Sequence, residues 1–373
     1  MRKLTFILFI ILSTKYSVAQ LYDTTLSDRD TAYIEFQLKE NVIDEEIKTD
    51  TSTETSLNRR QQAIINEVKF IRPYKFFENS KEYNRSRVLT ASIGIGATYA
   101  ATSIWWSAAW YSKYERDKFK FFDDSKEWLQ MDKAAHIFNA YFLSKWAHNT
   151  YRWAGVDKKH APWIGMVIGN LWQLSIEIND GFSKEWGFSW SDIGANLTGT
   201  AIFGLQQYLW NDQKFNIKIS AAPVKYPKEL RARTDQLYGT TFGELVLKDY
   251  NAMTFWLNAS PGAFIQNPDS KFPKWISVSF GYSGTGMLGG FNNIWCGEPG
   301  TSMVDCPTEQ IIDRSDIRRV RQYYLSLDID FTKIPTNKPA LKTFFELINI
   351  IKVPFPAVEF RSDGKVKWNW YAF

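Results

Sequence analysis

The spacing of apolar residues changes once along this 373-residue chain, close to Asn211, and divides it into two kinds of structure. Before this point apolar residues recur at intervals of three and four, the period of a helix that buries one face. After it they alternate with polar residues, as in Phe215–Ala221, which is typical of strands with one apolar face. We therefore predict an α+β protein, with a helical bundle at 61–212 and an antiparallel β-rich domain at 213–373.

The helical half contains four periodic segments, at 88–111, 132–152, 161–178 and 192–210. The first has no charged side chain, and its length would cross a bilayer. Its many small residues would allow close packing in lipid, but they would equally suit a buried helix of a soluble bundle. We predict a bundle of about four helices, embedded in a membrane or associated with one.

Alternation of apolar and polar residues recurs in the second half at 253–260, 276–282, 323–331 and 358–372, with a hairpin signal at Asp363-Gly364. A polar interior and an apolar exterior would describe an outer-membrane barrel, and the aromatic last strand ending in Phe373 resembles one. About six strands are fewer than the eight of a small barrel. We therefore favour a twisted sheet packed on the bundle, with membrane contact left open.

The N-terminus predicts export. Arg2 and Lys3 precede an apolar stretch at 4–12, and Ser17-Val18-Ala19 offers small residues for cleavage before Gln20. We predict a signal peptide at 1–19 and a location in the periplasm or outer membrane of a Gram-negative bacterium. Residues 20–60 are rich in Asp, Glu, Thr and Lys and predict a flexible lead-in. No Cys follows the apolar stretch, so we expect no lipid attachment there.

The charge and the aromatic content indicate which partners the chain can bind, and the cysteines indicate a possible disulfide. The net charge of +5 is spread out, without the dense basic patch that nucleic-acid binding needs. Aromatic residues reach 16%, which suits a lipid or envelope-protein partner as well as a large core. Cys296 and Cys306 lie in one polar loop, where an exported chain would form a local disulfide. The oligomeric state is left open.

Two polar signatures stand inside the apolar helical segments. In the first, Asp132 and His136 are four residues apart and share a helix face. Glu177 and Asp180 lie at the end of the third helix. If the helices pack antiparallel, His136, Glu177 and Asp180 converge as a catalytic acid–base site or as a divalent-metal set of one nitrogen and two oxygens. The alternative that we favour is a hydrogen-bonded network that ties helices together.

The second signature has a local explanation. Ser189-x-x-Asp192 before an apolar helical segment resembles a capping box, with Ser189 as the N-cap. Asn196 and Gly199 continue the face of Asp192, and the glycine permits close packing. His148 and His160 lie near helix ends among polar residues, so we expect them at the surface.

At these signatures the chain resembles the YfiM-like family of predicted periplasmic lipoproteins (domain of unknown function 2279). The resemblance rests on Asp132-Lys133-x-x-His136-Ile137 and on 187–192 with Asn196 and Gly199, and it covers roughly residues 130–210. It implies an envelope location and no known activity. The missing lipidation Cys departs from the family pattern and favours membrane contact through the chain's own apolar segments.

We therefore expect a non-enzymatic structural or interaction component of the envelope, associated with a membrane. One alternative is a membrane-associated hydrolase of a lipid or cell-wall substrate, using His136, Glu177 and Asp180. Another is a small binding or transport module whose polar strand faces line a cavity. We expect no cofactor other than a divalent metal.

Overall fold

The computed structural model describes residues 76–109, 111, 115–265, 267, 269–298, 303 and 305–372. The predicted signal peptide at 1–19, the lead-in at 20–60 and Phe373 lie outside the described residues. Within them, a helical part is followed by an antiparallel sheet, which confirms the α+β class.

Four long helices form the bundle, as the spacing predicts: α1 (Arg85–Ala109), α2 (Met131–Trp153), α3 (His160–Gly181) and α4 (Trp190–Trp210). Three shorter helices follow: α5 (Arg231–Tyr238), α6 (Phe242–Lys248) and α7 (Pro339–Ile348). The long series ends at Asn211, which adopts a left-handed backbone with φ 49° and caps α4. The change of period therefore falls where the chain leaves the bundle.

Helix α2 lies at the centre of the bundle and packs on α1, α3, α4 and the first two strands. Its backbone is approached closely from both sides. A Cβ at Gly199 on α4 would lie 2.2 Å from the backbone oxygen of Ile137, and one at Gly169 on α3 would lie 2.4 Å from Oγ of Ser144. These two glycines bring polar side chains of α3 and α4 within reach of α2.

The main sheet has six antiparallel strands in the order β1-β2-β3-β6-β7-β8. They are β1 (Phe215–Ala221), β2 (Met253–Ala259), β3 (Ile276–Thr285), β6 (Val320–Ile329), β7 (Phe355–Arg361) and β8 (Val366–Ala372). A separate pair joins β4 (Ile294–Cys296) to β5 (Ile311–Asp313). A disulfide links Cys296 at the end of β4 to Cys306 in the following loop.

The sheet is strongly curved. Lys218 on β1 has its Nζ 2.8 Å from Asp328 Oδ2 on β6, although β2 and β3 lie between the two strands. A flat sheet would separate them by about 14 Å. The curvature makes the polar face concave and buries it. The backbone just before β7 also lies beside β1, where the Ile219 amide donates to the Ile350 carbonyl.

The apolar face is convex, and it is covered only in part. At one end Ile217, Met253 and Phe255 pack against Met131 and Phe138 of the bundle. The remaining outward side chains, which we call the convex apolar face, are largely exposed. They are Leu257, Val278, Phe280, Leu325, Leu327, Phe360, Val366, Trp368 and Trp370.

Among the described residues, α1 is the one helix long and apolar enough to cross a membrane, judged by length and composition. Little of it is buried, and Leu89, Ile93 and Ile104 are exposed. Membrane association of the helices stays a prediction.

Candidate functional site

An unusual turn fixes the start of α2 and so aims its first polar side chains. Trp128, Leu129 and Gln130 have φ values of 48°, 53° and 62°, a left-handed region that non-glycine residues rarely occupy. Such a run persists only where surrounding contacts hold it. Here the Trp128 amide donates to the Gly290 carbonyl at 2.7 Å, and Arg321 donates to Gln130 Oε1 at 2.5 Å. The turn sets the direction in which α2 presents Asp132 and His136.

The start of α4 supplies the opposing group. Ser189 is the N-cap, and its Oγ accepts from the Asp192 amide at 3.1 Å. The same hydroxyl donates to Asp124 Oδ1 at 2.6 Å. The Asp192 carboxylate faces α2, where it lies near Lys133 and His136.

His136 is the centre of the cluster. Its Nε2 lies 3.6 Å from Glu177 Oε1, 3.7 Å from Asp192 Oδ1 and 3.8 Å from Asp132 Oδ1. Its Nδ1 lies 3.0 Å from Asn196 Oδ1. Because an amide oxygen only accepts, Nδ1 donates in this contact, and Nε2 is the ring nitrogen that faces the carboxylates. A hydrogen-bond partner on the far nitrogen is also what metal-ligating histidines have.

Lys133 neutralises part of the acidic charge. Its Nζ lies 2.7 Å from Asp124 Oδ1, 2.7 Å from Asp192 Oδ1 and 2.9 Å from Asp132 Oδ2. Burial alone would lower the pKa of this lysine, but Asp132 and Asp192 outweigh burial and raise it. The lysine is therefore a fixed positive charge on one side of the cluster.

The acidic groups still outnumber the basic ones. The carboxyl groups of the cluster are Asp124, Asp132, Glu177 and Asp192, against Lys133 and His136. Burial, followed by the charge of Asp192, raises the pKa of Glu177 to about 10. Burial and the charge of Asp132 raise the pKa of Asp192 as well. The pKa of Asp132 itself is lowered, because His136 and Lys133 outweigh its burial.

Several polar atoms of the cluster lack a hydrogen-bond partner among the described residues. Glu177 is 1% exposed, and neither of its oxygens accepts a well-formed hydrogen bond. Gln173 Oε1 and Asn196 Nδ2 are also buried without a partner. Buried polar groups are normally satisfied, since leaving one unpaired costs about 1–3 kcal/mol. These atoms leave hydrogen-bonding capacity inside the cluster that no described protein group uses.

The structure brings together some of the predicted site residues and separates others. His136 and Glu177 meet, as predicted. Asp180 instead accepts from the Tyr111 hydroxyl at 2.9 Å, and burial raises its pKa to about 7. Asp132 lies beside His136, as their shared helix face predicts, and Asp192, which the sequence assigned to a structural signature, takes the place of Asp180. In the sequence, the one indication that Asp192 lies beside His136 was its shared helix face with Asn196 and Gly199.

Two contacts to the cluster have no counterpart in the sequence analysis. The Tyr250 hydroxyl donates to Asp132 Oδ1 at 2.6 Å from the segment before β2. Asp124 reaches Lys133 and Ser189 from the segment before α2. No periodic pattern marks either residue, because both belong to irregular segments.

The other two histidines differ from each other. His160 is exposed and lies 2.6 Å from Asp157, as expected for a surface residue. His148 is buried beside Asn149 and Gln207, so the expected surface position is wrong for it. Burial lowers its pKa to about 4. Polar neighbours in the sequence misled the prediction, since they hydrogen-bond to His148 inside the bundle.

Residues 120–208 match the family described as "Predicted periplasmic lipoprotein (DUF2279)". The matched segment contains α2, α3 and nearly all of α4, and with them His136, Glu177 and Asp192. The resemblance to this family inferred from the two signatures is thereby confirmed. An exported location in the periplasm or outer membrane agrees with the family's description. No curated protein and no solved structure matches the chain.

Proposed function

We propose that this chain is a structural component of the cell envelope whose bundle is held together by a divalent cation bound to Asp132, His136, Glu177 and Asp192. One observation carries the proposal: His136 Nε2 faces three carboxylate oxygens at 3.6–3.8 Å while Asn196 holds its other nitrogen. Helices α2, α3 and α4 each contribute a ligand, so one ion would tie all three.

The distances are close to those that a metal requires. With bonds of about 2.0–2.2 Å, neighbouring ligand atoms in a tetrahedral or octahedral site lie about 3.0–3.5 Å apart. The observed 3.6–3.8 Å from His136 Nε2 to the carboxylate oxygens would close by a few tenths of an ångström. The ligand atoms of Asp132, His136 and Asp192 also lie within 4.8 Å of one another, and Glu177 lies outside that group. One imidazole nitrogen with carboxylate oxygens suits zinc or manganese better than calcium, which takes oxygen ligands.

Electrostatics favours a cation in the same place. Without one, burial holds the Glu177 carboxyl protonated at neutral pH, since its pKa is raised to about 10. A divalent ion would replace that proton and supply the partner that both Glu177 oxygens lack. It would also offset the surplus of carboxyl groups that Lys133 leaves.

The position of the cluster favours a structural role over a catalytic one. The large cavity of about 700 Å³ in the described part of the chain is lined elsewhere, by residues that include Lys145, His148 and Glu346. The His136 and Asp192 side chains are only 12% and 5% exposed. A small ion fits such a place more readily than a lipid or a glycan strand.

The test is melting of the purified full chain with zinc, manganese, magnesium or a chelator, together with elemental analysis. An ion that binds only the folded state at about 100 times its Kd adds about 2.7 kcal/mol to the free energy of unfolding. We expect zinc or manganese to raise the melting temperature of the parent and of the control His160→Ala. His136→Ala should lose the response. A parent indifferent to all four additions would refute the proposal.

A hydrolase remains the second candidate because of one feature beside the cluster. A hollow of about 180 Å³ is lined by Tyr111, Ser175 and Asn179, and the Tyr111 hydroxyl donates to Asp180. With a pKa of about 7, Asp180 suits proton transfer near neutral pH. Turnover of phospholipid or peptidoglycan fragments that disappears in Asp180→Asn, with melting unchanged, would support this candidate over the first.

A further inference from the structure

The main sheet is inverted relative to a sheet in a water-soluble protein. Its concave polar face is inside: Lys218 and Asp328 are each 0% exposed and lie 2.8 Å apart. Asp328 also accepts from the Asn258 side chain and from the Val353 amide at 2.9 Å. This network joins strands β1, β2 and β6 and pairs the buried charges of Lys218 and Asp328, although Asn258 Oδ1 has no hydrogen-bond partner among the described residues. The polar side is therefore buried, and the apolar side is the one that faces outward.

The outward side chains form continuous rows. Val278 pairs with Leu327, and Phe280 pairs with Leu325, across β3 and β6. Val358 continues the second row on β7, and Phe360 pairs with Tyr323 in the row beside it. Leu325 is 50% exposed, and Val278, Phe280 and Leu327 are exposed to a similar degree. Soluble monomers rarely expose contiguous apolar patches of more than a few hundred Å², so this face requires a cover.

We propose that the convex apolar face contacts the hydrocarbon of a lipid bilayer. Strands with apolar residues outside and polar residues inside are the pattern that lipid-facing strands follow. A protein partner would be expected to meet polar groups around an apolar centre, whereas these rows carry none between β3 and β7. The proposal rests on the sheet alone and does not depend on the metal centre.

The edge of the face has the chemistry of a membrane interface. Trp368 and Trp370 are exposed near the end of β8, and amphipathic rings of this kind favour the headgroup level. Lys365 and Lys367 are exposed beside them. Their charge would be attracted to anionic headgroups, as would the net charge of +5.

The first test is flotation of the full chain with vesicles of phosphatidylethanolamine and phosphatidylglycerol. Leu325→Lys places a charge in the centre of the face. Ile312→Lys is the matched control, because Ile312 is 40% exposed but lies on β5, outside the face. We expect Leu325→Lys to reduce the vesicle-bound fraction tenfold or more and the control to leave it unchanged. Equal binding by both variants would overturn the proposal.

A second measurement covers the case in which Leu325→Lys fails to fold. A spin label is attached to a cysteine introduced at Leu327, with Asp235 on α5 as the exposed reference; the native cysteines are paired and do not react. In vesicles the label at 327 should be accessible to oxygen and shielded from a water-soluble nickel chelate, unlike the label at 235. Nickel accessibility at 327 would overturn the proposal. If the label at 327 stays shielded without lipid, and cysteines at 327 cross-link between copies, the face contacts a second copy of the chain. That result would also overturn the proposal.

Discussion

Two buried polar clusters in this molecule contain the same kinds of groups and differ in how completely those groups are paired. In the sheet, Lys218 and Asp328 satisfy each other with help from Asn258. In the bundle, His136 faces three carboxylate oxygens, and both oxygens of Glu177 lack a partner. A network whose buried charged groups are paired stabilises a fold, whereas a buried carboxyl group without a hydrogen-bond partner favours a bound ligand. The pairing of buried charged groups therefore distinguishes a structural network from a candidate site better than amino-acid composition does.

The largest expected effect is in the sheet. Lys218→Met leaves Asp328 without its countercharge in a fully buried position, which typically costs about 3–5 kcal/mol. Denaturant unfolding measures the loss, and it should be the same with zinc or with a chelator. The double variant Lys218→Met/Asp328→Leu should recover much of it, since removing both charges leaves none unpaired. A single variant as stable as the parent would show that the network does not stabilise the sheet.

In the bundle, removing the charge of Glu177 should raise the free energy of unfolding when no metal is present, whereas removing the charge of Lys218 lowers it in the sheet. The folded-state pKa of Glu177, about 10, lies above its ordinary value of 4.5. The folded protein then holds a proton that the unfolded chain releases, so stability falls as pH rises from about 4.5 towards 10. Glu177→Gln removes this penalty and should raise the free energy of unfolding at pH 8 by up to about 5 kcal/mol in chelator, since each pH unit above 4.5 contributes about 1.4 kcal/mol.

Bound metal should reverse the order of stability of Glu177→Gln and the parent. With zinc or manganese, Glu177→Gln should gain less stability than the parent because it lacks a charged ligand. The control is His148→Ala, which removes a buried histidine of α2 that lies outside the cluster. It should lose stability to the same extent with and without metal. A Glu177→Gln variant that is less stable than the parent in chelator at pH 8 would contradict the comparison.

The smallest effect is expected at the cap of α4. Ser189→Ala removes the bond to the Asp192 amide and should cost about 0.5–2 kcal/mol. Thr198→Ala on the same helix is the control, because its hydroxyl bonds only to the Gly194 carbonyl at an exposed site. Thermal unfolding should separate the two variants. Unchanged melting of Ser189→Ala, with metal binding lost, would assign Ser189 to the site instead.

The sequence predicts the elements of this fold better than their orientation. Apolar residues that recur every three to four positions located the helices of the bundle, and those that recur every two positions located the strands. Each period follows from backbone geometry alone. Alternation cannot say which face turns inward, and the sheet buries the one with Lys218 and Asp328. That choice depends on curvature and on contacts between distant strands.

For the site, His136 and Glu177 could be paired from antiparallel helix packing. Asp192 could not, since Ser189-x-x-Asp192 has a sufficient local explanation as a helix cap. Its place beside His136 depends on the close approach of α4 to α2 at Gly199. Tyr250 reaches Asp132 from outside the bundle altogether. Contacts of this kind depend on tertiary packing, which no local spacing encodes.

The most direct test of the comparison is calorimetric titration of the metal-free protein with zinc at several pH values, in buffers of different ionisation enthalpy. We predict one ion per chain, proton release on binding, and an affinity that rises with pH up to about 10, as Glu177 more readily loses its proton. Lys218→Met/Asp328→Leu should bind like the parent, and His136→Ala should not bind. Zinc binding that is absent from the parent, or unchanged in His136→Ala, would contradict the account.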